Sequence, residues 1–136
     1  MLRRKHILLL LEWYDYRIHR GVAQVARENG WQLNCPKSFT HNEGILNNWQ
    51  GDGCIALLQC TQTLDYFRTH KIPLVDLGLG DHNLPITRVV TDNEAIGRLA
   101  AEHFRDHGYK EVFALTADGI KMYEERLQAF ITHMEA

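Results

Sequence analysis

Residues 6–35 read "HILLLLEWYDYRIHRGVAQVARENGWQLNC", in order a strand, a polar loop, a helix and a strand. His6 to Leu11 is a short apolar run ended by Glu12, the pattern of a strand buried on both faces. Ile18 to Glu28 then changes period. Val22, Val25 and Ala26 fall on one helical face, and Asn29-Gly30 is a helix stop. Trp31 to Cys35 gives a second strand, interrupted by Pro36. The basic start "MLRRK" before this run imitates a signal peptide. Yet Ile7 to Leu11 is shorter than the ~7–15 apolar residues of a signal core, and no small-residue cleavage site follows. No other run approaches membrane-spanning length, so the expectation is a soluble, cytoplasmic protein.

Outward from this unit the alternation continues. "NNWQGDG" is a turn-rich stretch opening onto "CIALL" (54–58), a third strand. Thr61 can cap a helix through His70, with Leu64, Phe67 and Arg68 on neighbouring turns. "IPLVDL" (72–77) is a fourth strand with Pro73 at its start, and "ITRVVT" (86–91) a short fifth. In "TDNEAIGRLAAEHFRDHGYKEVFAL" (91–115) Thr91 and Glu94 have capping-box spacing. Ile96, Leu99, Ala100 and Phe104 follow at helical spacing, as if to pack on the sheet. Gly108 suits a left-handed helix end, and "KEVFAL" reads as a further strand before a last helix from about Met122. Apolar strands separated by helices predict an open, doubly wound parallel sheet of three-layer α/β/α build, which binds ligands at the carboxyl ends of its strands.

The 136 residues, 45% of them hydrophobic, fit one domain with one core. A net charge of −2 gives no sign of the basic surface that DNA binding by this chain alone would need. Three cysteines without paired spacing point to reduced thiols. Cys54 and Cys60 flank an apolar run and read as small core residues. His103 and His107 stand four apart on one helix, but no third ligand has metal spacing, so a solvated helix face is expected and no metal. No nucleophile elbow, phosphate loop or dinucleotide fingerprint occurs; "GLGDHN" (78–83) opens no helix. No catalytic pair and no cofactor site is found, and an enzyme is not expected.

Two loops carry polar chemistry beyond what folding requires. "EWYDYR" follows the first strand, so Trp13, Tyr14, Asp15 and Arg17 would stand at the carboxyl edge. Aromatic faces stack on the C–H face of a sugar while Asp and Arg hydrogen-bond its hydroxyls; an aromatic loop packed on a neighbouring domain is the other reading. Asp92-Asn93 stands at a strand-to-helix junction, where a ligand or the helix cap alone would account for it. Glu124 and Glu125 suit a helix N-terminus, whereas Arg126 has no such explanation.

With "ERLQAF" (125–130), the 91–115 segment resembles the sensor domains of the lactose-repressor type, which have a periplasmic-binding-protein-like fold. "YDYRIHRGVAQVARENGWQL", "WQGDGCIA" and "IPLVDLGL" further resemble the effector domains of xylose operon regulators, which join such a sensor to an AraC-type pair of helix-turn-helix motifs. The resemblance runs from about residue 6 to 134 and covers the first of two lobes. It implies a small sugar effector, a pentose such as xylose, held between lobes. It also implies a homodimer, and DNA bound only through a C-terminal domain absent from this chain. The pocket residues so implied are the Trp13 to Arg17 loop, Asp92 with Asn93, and Arg126. Where the family loop often reads Tyr-Gly-Arg, this chain has Tyr14-Asp15-Tyr16-Arg17. A transporter's solute-binding protein and a stand-alone interaction module are the other classes to separate.

Overall fold

The structure, a computed structural model, describes residues 3–36, 49–59, 61–78, 80 and 83–136. Where length alone fits one domain, these residues fall into two compact units. The first runs to Gly78 and includes the stretch ending at Val89; the second comprises residue 80 and Val90–Ala136.

The first unit is a parallel sheet with helices. Its elements are β1 (His6–Leu11), α1 (Tyr16–Glu28), β2 (Gln32–Asn34), β3 (Gly53–Leu57), α2 (Thr61–Thr69), β4 (Leu74–Asp76) and β5 (Thr87–Arg88). The strand order is β2-β1-β3-β4-β5, with Ile7 opposite both Leu33 and Gly53 and Val75 opposite both Ile55 and Thr87. Because β1 is a central strand, it has no solvated face, and Leu8, Leu9 and Leu10 are fully buried. Cys54, Ala56, Leu58, Leu64 and Phe67 complete the core. Chain direction across the sheet reverses between β1 and β3, so right-handed crossovers place α1 and α2 on opposite faces. This is the doubly wound arrangement expected from the alternating pattern.

Helix ends follow local chemistry. After α1, Gly30 takes φ 66° and the N–H groups of Gly30 and Trp31 bond back to Arg27 and Ala26, a Schellman ending. After α2 the same hydrogen bonds form around Lys71, a side-chain-bearing residue at φ 56°. Some readings are corrected. Val25, expected on the inner face of α1, is exposed, and Ala26 is the buried residue there. Cys54 is buried as expected, and its thiol pKa is pushed well up by desolvation. Cys60 lies outside the described residues, as do Leu79, Asp81 and His82 of "GLGDHN".

The second unit is a helix pair, α3 (Asn93–Asp106) and α4 (Lys121–Met134). The N-cap of α3 is Asp92, whose carboxylate accepts from the Ala95 N–H at 2.9 Å. Thr91 is therefore not the cap of a Thr91–Glu94 box; its hydroxyl turns to Asn93 instead. Gly108 ends the helix at φ 74°, as its position implies. The buried positions of α3 are Asn93, Gly97 and Ala101, against α4. Ile96 and Leu99, expected to pack inward, are exposed. Closest approach falls at Gly97, where an added Cβ would meet the Arg126 carbonyl oxygen at 2.4 Å and Ala129 Cβ at 2.7 Å. The stretch 110–117 forms neither helix nor strand. A strand needs a paired neighbour, which its apolar sequence cannot supply alone.

Candidate functional site

In the first unit the site begins where β1 ends. The Glu12 N–H still donates to Leu57 at 2.9 Å, continuing the β1–β3 pairing. Its carboxylate then accepts the Gln59 N–H at 2.6 Å. The loops after β1 and β3 are thus tied together at the reversal of strand order, where doubly wound sheets take ligands. Trp13 and Tyr14 follow, 50% and 64% exposed. Tyr14 is not loose: its hydroxyl lies 2.9 Å from His19 Nδ1, and the rings meet edge to face.

Asp15 and Arg17 serve each other. Asp15 is the N-cap of α1, accepting the Arg17 N–H at 2.8 Å. The same carboxylate takes the Arg17 guanidinium in a two-point contact, at 3.1 and 2.7 Å. Hydrogen bonds from the Arg17 side chain and then its backbone hold the Asp15 pKa down to about 2, while the side-chain hydrogen bond to Asp15 and then its negative charge raise that of Arg17. The pair is a neutralised fork with aromatic surface beside it, suited to ordering hydroxyls around a stacked ring.

Further along the same carboxyl edge, fully buried Asp76 accepts from Arg88 Nε at 2.9 Å and from the Gly78 N–H at 2.9 Å. Sequence reading passed over both Glu12 and Asp76. An acidic residue at the end of an otherwise apolar strand was the available signal in each case.

In the second unit two of the three expected residues, Asn93 and Arg126, meet side chain to side chain. Asn93 is 7% exposed. Its Oδ1 accepts from Arg126 Nε at 2.9 Å and from the Thr91 hydroxyl at 3.0 Å. Its Nδ2 donates to Glu125 at 2.7 Å, and Arg126 Nη2 reaches Thr91 at 3.2 Å. Asp92 lies beside this network but spends its carboxylate on the helix cap. Arg126 thus has structural partners that its place in the sequence did not reveal. It also lines a groove of about 510 Å³ with Ile96, Ala100, Leu115, Tyr123 and Phe130. His103 and His107 stack at 4.3 Å, and His107 Nδ1 contacts the His103 carbonyl. Among the described residues no group of three potential metal ligands occurs, and no helix is long and apolar enough to cross a membrane.

Fold and edge together define the class: a periplasmic-binding-protein-like α/β domain, with its polar loops at the carboxyl ends of a parallel sheet. No family model and no curated protein matches the chain. Solved structures do. Transcription regulator CcpA of Lactococcus lactis superposes with a TM-score of 0.82 at 18% identity, over 98% of this chain and 54% of that one. A LacI family transcriptional regulator from Enterococcus faecium with bound ribose gives 0.81 at 16% identity, over 96% and 52%. The periplasmic component of an ABC-type sugar transport system from Hahella chejuensis gives 0.75 at 19%, over 94% and 55%. The chain spans about half the length of these structures, and what it shares with them is the fold.

Proposed function

We propose that these residues are the first lobe of a sugar sensor in a bacterial transcription regulator of the xylose operon regulator kind. The effector is a pentose such as xylose, held between this lobe and a second. It favours a closed arrangement through contacts made only there. Helix-turn-helix domains of AraC type, outside these 136 residues, carry DNA binding in a cytoplasmic homodimer. Trp13, Tyr14, Asp15 and Arg17 of the first unit, and Asp92, Asn93 and Arg126 of the second, are proposed to serve the effector.

The observation that carries the reading is the loop after β1. Two exposed aromatics stand there beside a carboxylate–guanidinium fork, at the point of strand-order reversal. Neighbours of the same fold, one named as the periplasmic component of a sugar transport system and one as a transcriptional regulator with bound ribose, support the choice of ligand class. One lobe supplies only part of the contacts. Titration of this chain with D-xylose and D-ribose, followed by Trp13-dependent fluorescence with Trp13→Phe as control, should therefore show millimolar or weaker binding. Micromolar saturation would overturn the two-lobe account, and turnover of the sugar would overturn the sensor reading itself.

A second reading, an association module, is favoured by Phe113 and Leu115, which are 97% and 102% exposed. Light scattering that shows a strictly monomeric chain at high concentration would remove it.

A further inference from the structure

The sequence suggests Asn93 and Arg126 as two equivalent contacts for a ligand, but their hydrogen bonds give them different work. Both lone-pair directions of Asn93 Oδ1 are occupied, by Arg126 Nε and the Thr91 hydroxyl. One of its two amide hydrogens goes to Glu125. At 7% exposure, Asn93 has no acceptor left to offer a ligand.

Arg126 is the opposite case. Of the five N–H groups of a guanidinium, Nε and one on Nη2 are engaged. Among the described residues both on Nη1 and the second on Nη2 are unengaged. They form a planar fork, suited to a pair of acceptor oxygens such as adjacent hydroxyls or a carboxylate.

An asparagine amide can turn over and exchange its oxygen for its nitrogen. That would point N–H groups at the arginine. What selects the orientation is an acceptor on the nitrogen side, and Glu125 is that acceptor. Glu125 and Arg126 are adjacent on α4, and side chains at i and i+1 on a helix do not face each other. Their coupling runs across to α3 and back through Asn93.

We infer that Glu125 is a positioning residue for Arg126, acting through Asn93 with Thr91 as the second anchor. The group this unit turns to a ligand is the outer edge of the Arg126 guanidinium. That a sugar is what meets this edge rests on the sensor reading; the positioning itself does not.

The test uses the 136-residue chain and its Glu125→Gln and Glu125→Ala variants, with the Arg126 Nε–H resonance observed by NMR. Glutamine keeps the acceptor oxygen and should keep the resonance in place. Alanine should move it and speed its hydrogen exchange about tenfold, the factor carried by losing one hydrogen bond to a charged group. Circular dichroism should show both variants folded, with a small fall in melting temperature for Glu125→Ala, which leaves an amide hydrogen of buried Asn93 without its acceptor. An Arg126 signal unaltered in Glu125→Ala, or equally disturbed in Glu125→Gln, overturns the assignment. Concentrated D-xylose should then shift the signal in the wild-type and glutamine chains. If the variants behave as stated but xylose shifts nothing, the sugar reading fails and the positioning stands.

Discussion

The substitution Gly97→Ala is worked most directly from the structure. Alanine stabilises an exposed helix interior by about 1 kcal/mol relative to glycine, so propensity alone favours it. At Gly97 the new methyl would stand 2.4 Å from the Arg126 carbonyl oxygen, 2.7 Å from Ala129 Cβ and 2.8 Å from the Phe130 nitrogen. Two of these are backbone atoms, which cannot rotate aside. Restoring an ordinary contact requires α3 and α4 to part by roughly 1 Å, and overpacking of this kind costs about 1–3 kcal/mol. Because the obstacle is main chain, the upper half of that range applies, leaving a net loss of about 1–2 kcal/mol after the helix gain. For a chain of this size that is a fall of roughly 3–7 °C in melting temperature. Parting the helices also stretches the Asn93 bonds to Glu125 and Arg126.

The control is Gly21→Ala in α1, where an added Cβ meets nothing within 4 Å. It should stabilise by about 0.5–1 kcal/mol. Urea unfolding followed by circular dichroism compares both variants with wild type. If Gly97→Ala stabilises as Gly21→Ala does, the helices do not meet at Gly97 and the account of the second unit is wrong.

Asp76→Ala should cost about 2–3 kcal/mol, below the range for a wholly buried ion pair because Arg88 retains some solvent; urea midpoints would measure it, and a loss under 0.5 kcal/mol would contradict the burial. Asp15 has its folded pKa lowered to about 2 from 3.8, so the unfolded chain binds the proton more readily. Its contribution to stability is present above about pH 4 and is lost as pH falls through about 2. Carboxyl ¹³C shifts should show that midpoint, and Arg17→Ala should move it back toward the ordinary carboxylate range. Lys71→Gly relieves a left-handed backbone position and should raise stability by about 1 kcal/mol, read from the same unfolding curves.

Much of the fold was legible because its causes are local. The apolar run ending at Glu12, the period change at Ile18 and the stops at Gly30 and Gly108 depend on neighbours a few residues away. There the observed elements follow the pattern. Local competition was harder to read. Thr91 and Asp92 can both cap α3, and only the settled backbone shows that Asp92 meets the Ala95 N–H. Asp15 likewise read as a ligand group, and the structure makes it a cap and the partner of Arg17.

What the sequence by itself determined is the alternation of strands and helices, hence a doubly wound parallel sheet with polar loops at its carboxyl edge. Tertiary structure alone decided the pairings. Asn93 finds Glu125 and Arg126 across 32 and 33 residues, and Glu12 finds Gln59 across 47. It also decided that α3 buries Gly97 and Ala101 and exposes Leu99. Periodicity draws a helical face, but only the element that comes to lie against it determines which face is covered.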